Sequence, residues 1–165
     1  MGITAKLRED HHDLLKLADD FRDLIAQPDA PPSIDLVNFR SEFSRQLLAH
    51  LTREDWLLYP CLLQSSDRVI VATAQSFIDE MGGMLKALKA WVAIWPTERI
   101  FAEWATFGIE TSNLLDALAR RIVRENRELY PLVELDVHKS DLGAQDIETY
   151  AFSRWARAGK SRCGG

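Results

Sequence analysis

Two stretches of the chain repeat one chemical pattern 71 positions apart, AHLTREDWLLYPCL at 49–62 and RRIVRENRELYPLV at 120–133. The repeat pairs Glu54 with Glu125, Tyr59 with Tyr130 and Pro60 with Pro131. It also pairs His50 with Arg121. His50 and Glu54 are four positions apart, so on a helix they project from one face. An imidazole and a carboxylate at that spacing can grip one cation. The second copy keeps the carboxylate and puts a guanidinium where the imidazole should stand. One half of a metal-site pattern has therefore been altered.

Such side chains need rigid elements to hold them, and the sequence predicts helices throughout. The first spans 4–27 and stops at the linker PDAPP, 28–32, whose three prolines forbid continuation. Ser33 is the expected N-cap of a second helix reaching 64. After the polar connector SSD, 65–67, a third helix spans 68–95. Pro96 and Thr97 end it and cap a fourth over 98–136. Long helices joined by short connectors pack antiparallel, so the fold class is all-α, an up-down-up-down four-helix bundle. The expected domain is 1–137. An extra C-terminal helix, 144–158 within an appendage 138–158, carries Ile147, Ala151, Phe152 and Trp155 on one face. That face is expected to fold back onto its own bundle, and the polar tail 159–165 to be disordered.

Each helix has a core-facing stripe at the required spacing of three or four. On helix one it is Ile3, Leu7, His11, Leu14, Ala18, Phe21 and Ile25. On helix two it is Phe39, Phe43, Leu47, His50, Glu54, Leu57 and Cys61. Helix three presents Ile70, Ala74, Phe77, Met81, Leu85, Leu88, Val92 and Trp95. Helix four presents Ile100, Phe107, Leu114, Leu118, Arg121, Glu125, Leu129 and Leu132. Five polar residues interrupt these stripes: His11, His50, Glu54, Arg121 and Glu125. An unpaired charge in a core costs several kcal/mol, on the order of a domain's whole stability. These residues must meet one another, a metal ion or buried water. His11 is chosen over His12 as the inward histidine because Leu7, Leu14, Leu15 and Ala18 flank it at helical spacing. His12 belongs at the rim and His138 on the surface.

Composition excludes several function classes. The chain has 165 residues, enough for one domain with a real core, and a net charge of -5. That balance argues against a nucleic-acid binder. No apolar run approaches a membrane span, and MGITAKLRED lacks a secretion-signal core. Lys6 stands where a myristoylation signal after Gly2 wants Ser or Thr. Cys61 and Cys163 form no CxxC and no disulfide framework. A reduced, cytoplasmic setting is expected, with neither membrane nor nucleic acid as partner.

The motifs resemble the hemerythrin family, the HHE cation-binding bundles, over about residues 3–135. The resemblance rests on EDHHDLL in helix one, HLTRE with LLYP in helix two, DEMGGML in helix three and RIVRE with ELYP in helix four. In that family two non-haem irons lie between the helices, bridged by carboxylates. The resemblance implies His11, His50 and the bridging pair Glu54 and Glu125 as ligands of one metal. The other metal would draw on positions 81 and 121, here Met81 and Arg121. Met81 is expected to be plain core. Arg121 is expected to pair with the carboxylates as a fixed cation in the second metal's place. Losing two imidazoles argues against reversible oxygen carriage, which draws electrons from both irons.

Tyr59 and Tyr130 are expected to pack at the bundle end rather than contact a ligand. Trp91, Trp95 and Trp104 are expected to be core. His11 and His50 also fit plain core histidines bonded to Glu54. The preferred function is a sensor or regulatory module with one iron, or another divalent cation, reading oxygen, nitric oxide or redox state. A small diatomic ligand would then be its partner. The alternative is a metal-free descendant serving protein–protein interaction or signalling. An enzyme such as a peroxidase or iron-repair protein is a third class. No nucleophile constellation or phosphate loop supports catalysis, and a fold alone decides no function.

Overall fold

The computed structural model describes residues 3–139, apart from the side chains of Met81 and of 136–139. Four helical rods fill that range. The first is α1 (Ile3–Ile25). The second joins α2 (Ser33–Arg53), a π turn (Glu54–Leu58) and α3 (Tyr59–Leu63). The third joins α4 (Arg68–Met81) and α5 (Met84–Ile94). The fourth joins α6 (Thr97–Ala102), α7 (Trp104–Arg124), a second π turn (Glu125–Leu129) and α8 (Tyr130–Lys139). No described residue forms a strand. No described helix is long and apolar enough to cross a membrane. The helix expected at 144–158, the tail and the side chain of His138 lie outside the described residues.

Cross-rod contacts fix the directions. His11 meets His50 while Phe21, further along α1, meets Phe43 edge-on, so the first two rods run antiparallel. Trp91 Nε1 donates to Thr111 Oγ1 at 3.1 Å, and the earlier Glu80 pairs with the later Arg124. The third and fourth rods are therefore antiparallel too, and the expected four-helix bundle forms.

Four details differ from the sequence-based expectation. Ser33 and Thr97 do not cap. They are the first residues inside α2 and α6, and Pro32 and Pro96 hold the cap positions without a side-chain bond. Each proline carbonyl accepts the first helical amides, Asp35 and Leu36 in one case, Arg99 and Ile100 in the other. Helix one stops at Ile25, two residues early. Helix three breaks at Gly82 and Gly83, and the break requires glycine at 82, where a Cβ would lie 2.5 Å from the Ile78 carbonyl oxygen. Downstream, Met84, Leu88, Trp91 and Trp95 are buried while Val92 is exposed, so the core face continues the spacing of Ile70, Ala74 and Phe77 and takes Met84 and Trp91 in place of Leu85 and Val92. Helix four is interrupted at Glu103 as well as by its π turn.

The two π turns matter most. Each begins at the repeated carboxylate and precedes the repeated proline by two residues. Tyr59 N–H reaches the Glu54 carbonyl and Tyr130 N–H the Glu125 carbonyl, five residues back. A π turn carries one residue more than an α turn, so everything beyond it shifts phase by one position. The stripe expected at Leu57 and Cys61 moves to Leu58, Tyr59 and Leu62, and Leu132 yields to Val133. Both tyrosines rotate inward.

The core consequently has two apolar clusters. One is centred on Phe21, Phe43, Trp91 and Phe107. The other is centred on Leu7, Leu58, Phe77 and Leu129. Trp91 and Trp95 are buried and Trp104 packs against the first cluster, as expected for core residues.

Candidate metal centre

Between the two clusters lies a polar layer. His11, His50, Glu54, Arg121 and Glu125 are all at most 3% exposed. His12 is exposed, so helical phase chose the inward histidine correctly. α1 supplies His11, α2 supplies His50, and the first residues of the two π turns supply Glu54 and Glu125. Arg121 comes from the last turn of α7.

Arg121 ties the carboxylates together. Its Nε donates to Glu125 Oε1 and its Nη2 to Glu54 Oε2, each at 2.6 Å. Burial alone would lower the guanidinium's pKa, but the charges of Glu125 and Glu54 outweigh it and raise it. Arg121 is thus a permanent cation on the side of the site where the imidazole is missing.

The opposite side is built from lone pairs. His11 Nε2 is 3.1 Å from His50 Nε2 and 3.2 Å from Glu125 Oε2, and His50 Nε2 is 3.6 Å from Glu54 Oε2. One donor atom from each of the four residues lies within 4.8 Å of every other. A four-coordinate ion with ligands at about 2.1 Å holds its donors roughly 3.4 Å apart, so these spacings fit a small cation.

An outer hydrogen bond fixes which His11 nitrogen faces inward. His11 Nδ1 is 3.0 Å from Asn126 Oδ1, which requires that nitrogen to donate and leaves Nε2 as the inward lone pair. Arg8 donates to the same Asn126 oxygen at 3.4 Å. His50 Nδ1 points to Asp10 Oδ2 at 3.7 Å, an electrostatic contact too long for a hydrogen bond. Asp10 is itself paired with Arg53 and Lys6. Burial would raise its pKa, yet His50, Arg53 and Lys6 outweigh burial and hold it low. Neither Asn126 nor Asp10 was singled out in the sequence.

Tyr59 and Tyr130 overturn the expectation that they pack away from the site. Tyr130 Oη donates to Glu54 Oε1 at 2.9 Å and lies 3.0 Å from His11 Nε2. Tyr59 Oη accepts from Arg121 Nη2 at 3.4 Å. Burial, then the Glu54 charge, raise the pKa of both phenols. The repeated LYP was the signal available, since the proline marks where each helix must widen.

Proton counting shows what the centre lacks. Tyr130 has one proton and gives it to Glu54. Glu125 Oε2 faces His11 Nε2 but accepts no hydrogen bond from it or any other group. Two carboxylates against one guanidinium leave one negative charge buried. Burial, followed by the neighbouring Glu125 charge, pushes the Glu54 carboxyl above the usual range, while His50 and Arg121 oppose that shift. The four residues suit a cation, which would meet both the lone pairs and the surplus charge. A groove of about 610 Å³ between α5 and α7, walled by Ala87, Ala90 and Ala117, reaches Arg121 from the surface, and neither histidine lines it.

A model of the hemerythrin HHE cation-binding domain matches residues 2–133. The chain belongs to the hemerythrin HHE cation-binding family. No curated protein and no solved structure matches it. In this hemerythrin domain the described residues place His11 and His50 on one side of the carboxylate pair and Arg121 on the other. Met81 closes α4 just before the glycine break.

Proposed function

We propose that this hemerythrin domain holds a single non-haem iron through His11, His50, Glu54 and Glu125 and serves as a sensor or regulatory module. The observation that carries this is the unsatisfied Glu125 Oε2 facing His11 Nε2, which itself lies 3.1 Å from His50 Nε2. When bound, iron would supply one-electron redox chemistry and affinity for small diatomic molecules. The mixed nitrogen and oxygen donors suit iron, manganese or zinc. Asn126 orients His11, Asp10 faces His50, and the two apolar clusters exclude water from both ends. Arg121 occupies the second cation's place, which supports one ion rather than two.

Protein made without a His-tag under iron-replete conditions is expected to carry one ion per chain by elemental analysis. His50→Leu should remove it while leaving the helical signal intact. Two irons per chain would sink the single-ion assignment. An iron-free protein from iron-replete cells would favour the second possibility, a metal-free interaction domain. The bond of Arg121 to both carboxylates at 2.6 Å is the observation that favours that alternative.

A further inference from the structure

We propose that Tyr130 is a fifth donor to the cation, so that a ferric ion in this site is held by a phenolate. The inference rests on the cation site proposed above and adds a ligand outside its histidine and carboxylate set. Tyr130 Oη lies 3.0 Å from His11 Nε2 and 2.9 Å from Glu54 Oε1. Those separations are like the spacings between the His11, His50 and Glu125 donors, so the hydroxyl oxygen borders the same donor group at His11 and Glu54. The residue is fully buried and its ring stacks on His11 at 13° and 5.1 Å between centroids. Its oxygen therefore cannot swing away without moving the histidine.

Tyr59 is the internal contrast. It holds the same position in the first repeat, but its oxygen contacts the Arg121 guanidinium. One tyrosine thus faces the fixed cation and the other faces the open half. Arg8 sits over the Tyr130 ring at 5.4 Å and covers the face of the ring. Binding forms the Oη–iron bond and breaks the Oη–H bond, and the proton passes to solvent. With ferric iron added to the −1 cluster the buried charge is +2, and phenolate formation lowers it to +1. A trivalent ion in contact reverses the hold that burial otherwise has on the phenol proton.

The test loads the full chain with ferric nitrilotriacetate and records visible absorption and resonance Raman spectra. A phenolate-to-iron charge-transfer band with tyrosine vibrations is expected. It should vanish in Tyr130→Phe and persist in Tyr59→Phe. Ferric ion bound without the band, or a band that survives Tyr130→Phe, overturns the proposal but leaves the cation site standing. No ferric uptake by the parent overturns both. Should Tyr130→Phe fail to fold, gallium(III) titration of the parent and of Tyr59→Phe reads the same point. An ionised-tyrosine ultraviolet difference spectrum in both supports the ligand, and its absence rejects it.

Discussion

Replacing Arg121 with methionine is expected to lower the melting temperature of the metal-free protein by roughly 10 °C. Arg121 is buried and holds two buried carboxylates at 2.6 Å each. Removing one partner of such a set leaves uncompensated charge and costs about 3–5 kcal/mol. In a domain of this size each kcal/mol moves the melting point by about 2–4 °C. Methionine fills much of the volume, so lost packing contributes little. Adding Glu54→Gln and Glu125→Gln to Arg121→Met should recover most of the loss, because the charge is then gone rather than stranded. Zinc or ferrous ion should protect Arg121→Met more than the parent, since a divalent cation takes over the guanidinium's role. Calorimetry with and without chelator measures all three effects. A single variant that melts within about 2 °C of the parent would mean that the cluster is neutralised by something other than Arg121.

What the sequence could reveal depended on where the backbone was regular. α1, α2 and α7 are uninterrupted up to the site, so helical phase placed His11, His50, Glu54, Arg121 and Glu125 correctly. Beyond the two carboxylates the same counting held for Leu129 and failed elsewhere. Leu57 and Cys61 were expected inward, and Leu58 and Leu62 are buried instead. Nothing in apolar periodicity distinguishes a helix with one surplus residue from one without, and only the prolines at 60 and 131 hint at it. Val92 is exposed for another reason: both it and the adjacent Trp91 satisfy a spacing of three or four from Leu88, and the larger Trp91 takes the core position. Asp10 and Asn126 were invisible for a different reason. Each acts on a histidine of another rod, across sequence separations of about 40 and 115 residues, and such pairings exist only once the rods are aligned.

The phase argument makes a sharper claim about deletions. Removing Trp56, which is 70% exposed within the first π turn, should leave a cooperatively melting bundle. The turn then closes as ordinary α-helix, and Leu58, Tyr59 and Leu62 keep the face they already occupy. Removing Arg45 from the straight part of α2 should abolish folding. Its own side chain is exposed and makes only a surface pair with Glu42, so little is lost directly. The deletion nevertheless turns one side of the rod against the other by about 100°. Leu47, Leu51, Leu58 and Leu62 cannot then stay buried together with Leu36 and Phe43. Four leucines at about 1.5–3 kcal/mol each approach the roughly 5–15 kcal/mol that holds a domain folded. Circular-dichroism melts of the two deletions separate these outcomes. Equal damage from both would show that the π turns are not single-residue insertions in phase. Sparing of the Trp56 deletion alone would show that each π turn carries one surplus residue beside its carboxylate and can lose it without turning the downstream face.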